Sequence, residues 1–193
     1  MSFRSRATNE AIKKILRENA NDYKESCHRS REDYIKTLRY GDQIPKEGNK
    51  FYNNTDREAY RERCLNRQRE ARKILASETA ALKAETVKAP DAEAVSILSL
   101  MAIRSDLTEQ ELVNMMDKYG SNYQTAKTIH SLANDHKFRN VPTNPIDDQL
   151  ERIENLDRTL ESCLSIDSAE KGHTSDGFIS FLSLDIDSAF PTE

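Results

Sequence analysis

Glycine is scarce in this chain, with five among 193 residues. Glycine is the residue that enters positive φ without steric cost, and tight hairpins, sandwich turns and phosphate-cradling loops each need it repeatedly. So few exclude a large all-β architecture and Gly-rich nucleotide loops, and direct the fold to helices. Charged residues make up 32% of the chain against 36% hydrophobic ones, and tryptophan is absent. Such a balance does not supply one large core, so an extended or modular all-α protein is expected.

Periodicity divides the chain. Thr8 is placed to cap a first helix running to about Arg39 or Tyr40, with Gly41 in the position of a left-handed C-terminal cap. Ile12, Leu16, Tyr23, Cys27, Tyr34 and Leu38 recur on it at steps of three and four, interrupted by the polar Asn19 and Ser30. A loop follows over 41–54. Thr55-Asp56-Arg57-Glu58 then matches a capping box and opens a second long helix to about Lys88, whose apolar row (Tyr60, Cys64, Ala71, Ile74 or Leu75, Leu82) is thin. Residues 1–90 therefore read as a long basic helical hairpin or arm.

Residues 91–140 read as a three-helix bundle. It starts at Pro90-Asp91 and carries the richest apolar segment, Ala94, Val95, Ile97, Leu98, Leu100, Met101 and Ile103. Thr108-Glu109-Gln110-Glu111 is a second capping box, Gly120 stops that helix, and Asn122 caps the next. Over 141–164 a linker marked by Pro142 and Pro145 leads into an amphipathic docking helix with Ile146, Leu150, Ile153 and Leu160 on one face. These four are the expected self-association residues. Residues 165–193 read as a flexible acidic-hydrophobic tail. Phe178, Phe181, Leu182, Leu184 and Ile186 form its partner-docking peptide, since no adjacent element offers them a core.

The net charge of −4 hides an asymmetry. Residues 1–90 hold 21 Lys+Arg and 14 Asp+Glu, and residues 91–193 hold 8 and 19. Either the basic half meets an acidic partner such as nucleic acid, or the two halves attract each other within or between copies. The sharpest basic cluster is Arg57, Arg61, Arg63, Arg67, Arg69, Arg72 and Lys73, with Tyr60 among them. Guanidinium groups interleaved with a tyrosine are a platform for a phosphate backbone and unpaired bases, in a mode insensitive to sequence. Glu58, Glu62 and Glu70 lie at helical spacing in the same segment and compete for that charge.

Catalytic and metal chemistry find no motif. No close Cys or His pair of metal-ligand spacing, P-loop, dinucleotide fingerprint or nucleophile elbow is present, so no cofactor, no metal and no small-molecule substrate is expected. Cys27, Cys64 and Cys163 are an odd, dispersed set that fits reduced thiols and a cytoplasmic setting. No apolar run reaches membrane-spanning length, and the N-terminus lacks the apolar region of a secretory signal.

Two resemblances follow from the 91–140 segment. Tyr119-Gly120-Ser121-Asn122 between two helices looks like the turn of a helix-turn-helix, although Lys127 is the only basic residue of the helix that would read DNA before Lys137. Gly120 to Ala126 also resembles the loop-to-third-helix junction of ubiquitin-associated-type bundles. In composition the chain is similar to phage scaffolding and capsid-assembly proteins. The expectation is a non-enzymatic helical assembly protein that self-associates and docks partners through its C-terminal helix and tail. The alternative is a sequence-non-specific nucleic-acid-binding protein using residues 57–73.

Overall fold

A computed structural model describes residues 3–142 and 145–190. Among them the protein is all-α, with no strand. In chain order the helices are α1 (Phe3–Thr37), α2 (Asn54–Thr86), α3 (Ala92–Met101), α4 (Glu109–Tyr119), α5 (Tyr123–Asp135), α6 (Pro145–Cys163), α7 (Ile166–Glu170) and α8 (Asp176–Ala189). The chain forms two compact units, Met1–Ala76 with Arg152–Glu193, and Ser77–Glu151. Helices α2 and α6 contribute to both.

In the first unit, polar side chains fix the register. Asp22 on α1 accepts from Arg63 Nε (2.8 Å) and Arg67 Nη1 (2.7 Å) on α2, while the Ser30 hydroxyl, further along α1, accepts from the backbone N–H groups of Tyr52 and Asn53. The expected hairpin is therefore antiparallel. Gln68 on α2 donates to the Glu161 and Leu164 carbonyls, satisfying acceptors that the C-terminal end of α6 leaves unpaired. Lys13 on α1 pairs with Asp187 on α8 at 2.6 Å, and Lys24 with Asp176 at 3.7 Å, so α8 runs antiparallel to α1. Ile12, Ile15, Leu16, Ala20 and Tyr23 of α1, Ile153, Leu156 and Leu160 of α6, and Leu182 and Ile186 of α8 are all buried. Asn19 and Ser30, which break the apolar row of α1, are buried at 3% and 0% exposure because they are hydrogen-bonding positions of this interface.

The expected tail is corrected. Residues 166–170 and 176–189 are helical, and Leu182, Ile186, Ala189 and Phe190 are buried at 0–1% exposure. The physical reason is that α1 offers them a face: Asn9 Nδ2 donates to the Phe190 carbonyl (3.0 Å) and to Asp187 Oδ1 (2.8 Å), capping the end of α8. Sequence neighbours offered no such partner, because Asn9 lies 178 positions before Asp187 and 181 before Phe190.

Helix boundaries differ in smaller ways. Helix α1 begins at Phe3, so Thr8 lies inside it, buried, rather than capping it. The helix ends at Thr37, short of Tyr40. The box that opens α2 is Asn53 with Asp56, not Thr55 with Glu58: Asn53 Oδ1 accepts from Asp56 N–H and Asn53 Nδ2 donates to Asp56 Oδ2, both at 2.8 Å.

The second unit holds α3, α4 and α5 around Leu98, Met101, Leu107, Leu112, Met115, Met116, Ala126, Ile129 and Leu132. Asp91, Thr108 and Asn122 cap the three helices, and the Thr108–Glu111 box is reciprocal. Gly120 ends α4 in ordinary right-handed backbone, φ −67°. Its need is steric, since a Cβ there would overlap the Met116 carbonyl oxygen and Sδ. Asn122 and Gln124 at the start of α5 donate to the carbonyls of Ala89 (3.0 Å) and Thr86 (2.6 Å), which lie at and just past the end of α2.

Candidate functional site

The arginines of α2 are placed by helical spacing, and most meet carboxylates. Arg57 pairs with Glu170 (2.9 Å), Arg61 with Glu58 (3.5 Å), Arg63 and Arg67 with Asp22, and Arg72 with Asp157 (3.6 Å) and Glu161 (2.6 Å). Arg69 donates to Asn66 Oδ1 (3.2 Å), and Lys73 is exposed. Tyr60 is fully buried, its ring 5.4 Å from that of Tyr23 and 5.6 Å from that of Phe51, so it presents no face to a base. Burial works against ionisation of Asp22, but the hydrogen bonds from Arg63 and Arg67 outweigh it and hold the carboxyl below its usual range.

The charge asymmetry is thus resolved inside the first unit. Met1–Ala76 carries 19 Lys+Arg against 12 Asp+Glu, and Arg152–Glu193 carries 3 against 9, so their opposite excesses nearly cancel. Ser77–Glu151 has 7 basic and 12 acidic residues and keeps an acidic excess.

The expected self-association row divides. Ile153 and Leu160 are 3% and 2% exposed in the chain's own core and present no free surface, while Ile146 and Leu150 are half-buried. The docking peptide divides by helix face. Leu182 and Ile186 point inward, Phe178 is half-buried with its ring stacked on His173 at 4.5 Å, and Phe181 and Leu184 remain 63% and 64% exposed.

Two further exposed apolar sets were not singled out from the sequence. On α3, Val95 and Leu100 are exposed, as is Ile103 just beyond the helix, although all three belong to the segment that reads as core. Of these, Val95 borders a cleft of about 410 Å³ between α3 and α5, lined also by Pro90, Ser99, Ala102, Gln124 and Thr128. In the loop between α1 and α2, Tyr40 is fully exposed and Ile44 is 65% exposed. A short helix in a three-helix bundle buries one stripe only, which explains α3; an isolated Tyr or Ile in a loop carries no periodicity to read.

The three cysteines are free and buried. Burial pushes the Cys27 thiol up to about 11, and raises those of Cys64 and Cys163. Among the described residues no group of three His, Cys, Asp or Glu converges as a metal site, and no helix is long and apolar enough to cross a membrane. Comparison with protein-family models, with curated proteins and with solved structures finds no match to this chain.

Proposed function

We propose that this is a non-enzymatic helical interaction and assembly protein that self-associates, in keeping with its compositional likeness to phage scaffolding and capsid-assembly proteins. The observation that carries the reading is the set of large apolar side chains turned outward from well-capped elements: Val95, Leu100 and Ile103 around α3, and Phe181 and Leu184 on α8. The packing of each helix leaves these residues over, and exposed apolar residues that share a face, as Phe181 and Leu184 one turn apart on α8 do, mark interaction surfaces. The surface assigned to assembly is thereby α3 and the outer face of α8, in place of Ile153 and Leu160.

Nucleic-acid binding through α2 is the weaker reading. The carboxylates that hold Arg57, Arg63, Arg67 and Arg72 compete with any phosphate for the same guanidinium groups. Sedimentation velocity of Ile103→Asp and of Phe181→Asp/Leu184→Asp against the parent chain tests the proposal, with titration of a fluorescent single-stranded oligonucleotide at two salt concentrations alongside. A drop in mass for at least one variant, with no oligonucleotide binding, supports it. Unchanged mass in both variants, together with steeply salt-dependent oligonucleotide binding, refutes it in favour of the alternative.

A further inference from the structure

Helix α8 leaves a second face opposite the one it buries. Leu182, Ile186 and Ala189 turn inward at steps of four and three, while Gly177, Phe181, Leu184 and Ser188 are exposed at steps of four, three and four and so share one outward face. No charged side chain interrupts this row, a Cβ at Gly177 would meet nothing within 4 Å, and Ser188 is short. The row therefore reads small, large, large, small in either direction. The exposed set around α3 has no such order: Val95 and Leu100 are five residues apart, on different sides of the helix, and Ile103 lies beyond its end.

A row with that symmetry is complementary to itself. When two copies of α8 pair antiparallel about a two-fold axis midway between Phe181 and Leu184, Phe181 of each copy lies level with Leu184 of the other, and Gly177 with Ser188, because both pairs share one midpoint. The four large side chains then cover one another at the centre, and the small ends let the helix axes approach. Charge selects this direction over the parallel one. Parallel pairing sets Asp176 level with Asp176 and Asp185 level with Asp185, and aligns the two helix dipoles. Antiparallel pairing opposes the dipoles, moves the two Asp185 residues about 7.5 Å out of level, and sets opposite charges level at both ends. Arg152 donates to the Ser188 hydroxyl (2.6 Å) and carbonyl (3.0 Å), with no carboxylate within ion-pair distance among the described residues. Its guanidinium is thus held where Gly177 and Asp176 of the second copy arrive, and the Asp176 carboxylate is 91% exposed, 3.7 Å from its own cation, Lys24.

We infer that the outer face of α8 is a self-complementary dimer contact, occupied by the same face of a second copy of this chain with the two helices antiparallel. The inference rests on the self-association proposed above and gives one of its two surfaces a partner and a direction. The contact is isologous, so it closes at two copies, and the exposed residues around α3 take no part in it. The row covers three helical turns, less than a standard interface, so the dimer forms and dissociates with concentration instead of persisting as an obligate one.

The test uses the full chain, light scattering and a short bis-maleimide cross-linker. Phe181→Asp places a carboxylate at the centre of the contact and is expected to raise the dimer dissociation constant about tenfold or more. The position is exposed, so far-UV circular dichroism should match the parent. Gly177→Cys and Ser188→Cys report the direction, since both positions are exposed and the three native cysteines are buried. In the antiparallel pair, position 177 of one copy is level with 188 of the other, whereas two copies of position 177 lie eleven residues, about 17 Å, out of level. The two variants mixed should cross-link to a species of twice 22.1 kDa, and neither alone should do so. Cross-linking of either variant with itself, a mixture that does not cross-link, or a Phe181→Asp chain that associates as the parent does overturns the antiparallel α8 contact and leaves self-association standing. A monomeric parent overturns both.

Discussion

Leu182 and Phe181 are sequence neighbours on α8 with opposite environments, 1% and 63% exposed, and truncating each in turn measures whether the C-terminal segment belongs to the core. Leu182→Ala removes buried methyl groups and leaves a cavity, which costs about 2–5 kcal/mol in a packed core. Helix α8 lies near the chain end, where relaxation is easier, so the lower half of that range, about 2–3.5 kcal/mol, is expected. Phe181→Ala removes a larger side chain from solvent and should stay within about 0.5 kcal/mol of the parent. Urea unfolding followed by circular dichroism at 222 nm reads both from the midpoint at unchanged slope, a slope of roughly 2–3 kcal/mol/M giving a shift near 1 M for Leu182→Ala. Equal, small effects would mean that 176–190 is detached, and the burial argument would fail. A large effect for Phe181→Ala would mean that its outward face is covered, removing it from the assembly surface.

The remaining predictions concern charge, protons and thiols. Asp22→Ala leaves Arg63 and Arg67, like charges one turn apart on α2, without their shared carboxylate in a half-buried interface, and should cost about 2–3 kcal/mol, below the range for a fully buried pair because Arg63 stays one-third exposed; double replacement with Arg63→Met should recover part of it in the same urea assay. Hydrogen bonds from Lys13 and then Asn9 hold Asp187 below the usual carboxylate range, as those from Arg63 and Arg67 do Asp22. Both carboxyls therefore add stability that is complete above the unfolded-state value of about 3.9 and is lost as pH falls through their lower folded values. Melting temperature should be flat above about pH 5 and fall below about pH 4, less steeply in Lys13→Met; equal slopes would contradict the Lys13–Asp187 pairing. Native protein should react slowly with a thiol reagent at mild alkaline pH, because all three cysteines are buried and their thiols raised, and fully once unfolded; rapid reaction of one thiol in the native state would contradict that burial.

Local chemistry made the second unit legible from sequence. Asp91, Thr108 and Asn122 cap the helices they announce, because a cap depends on residues within one turn. The first unit was legible only as separate amphipathic rows. Its distinguishing contacts, Asp22 with Arg63 and Arg67, Lys13 with Asp187, and Arg57 with Glu170, join positions 41 to 174 apart, and nothing at either end reveals the other. The same distance explains the tail: Phe190 looks stranded until α1 is beside it. The arginines of α2 were conspicuous in sequence because they are numerous, yet number does not say whether a guanidinium faces solvent or a carboxylate two helices away. Conversely, Tyr40, Ile44 and the outer face of α3 became visible only once burial separated inward from outward residues.

Light scattering of the parent chain over a concentration series tests the central claim most directly. Self-association through exposed apolar side chains predicts a mass above 22.1 kDa that rises with concentration, with helix content unchanged. A mass fixed at the monomer value up to about 100 µM, where an interface of about −5.5 kcal/mol would already be half-occupied, would contradict it.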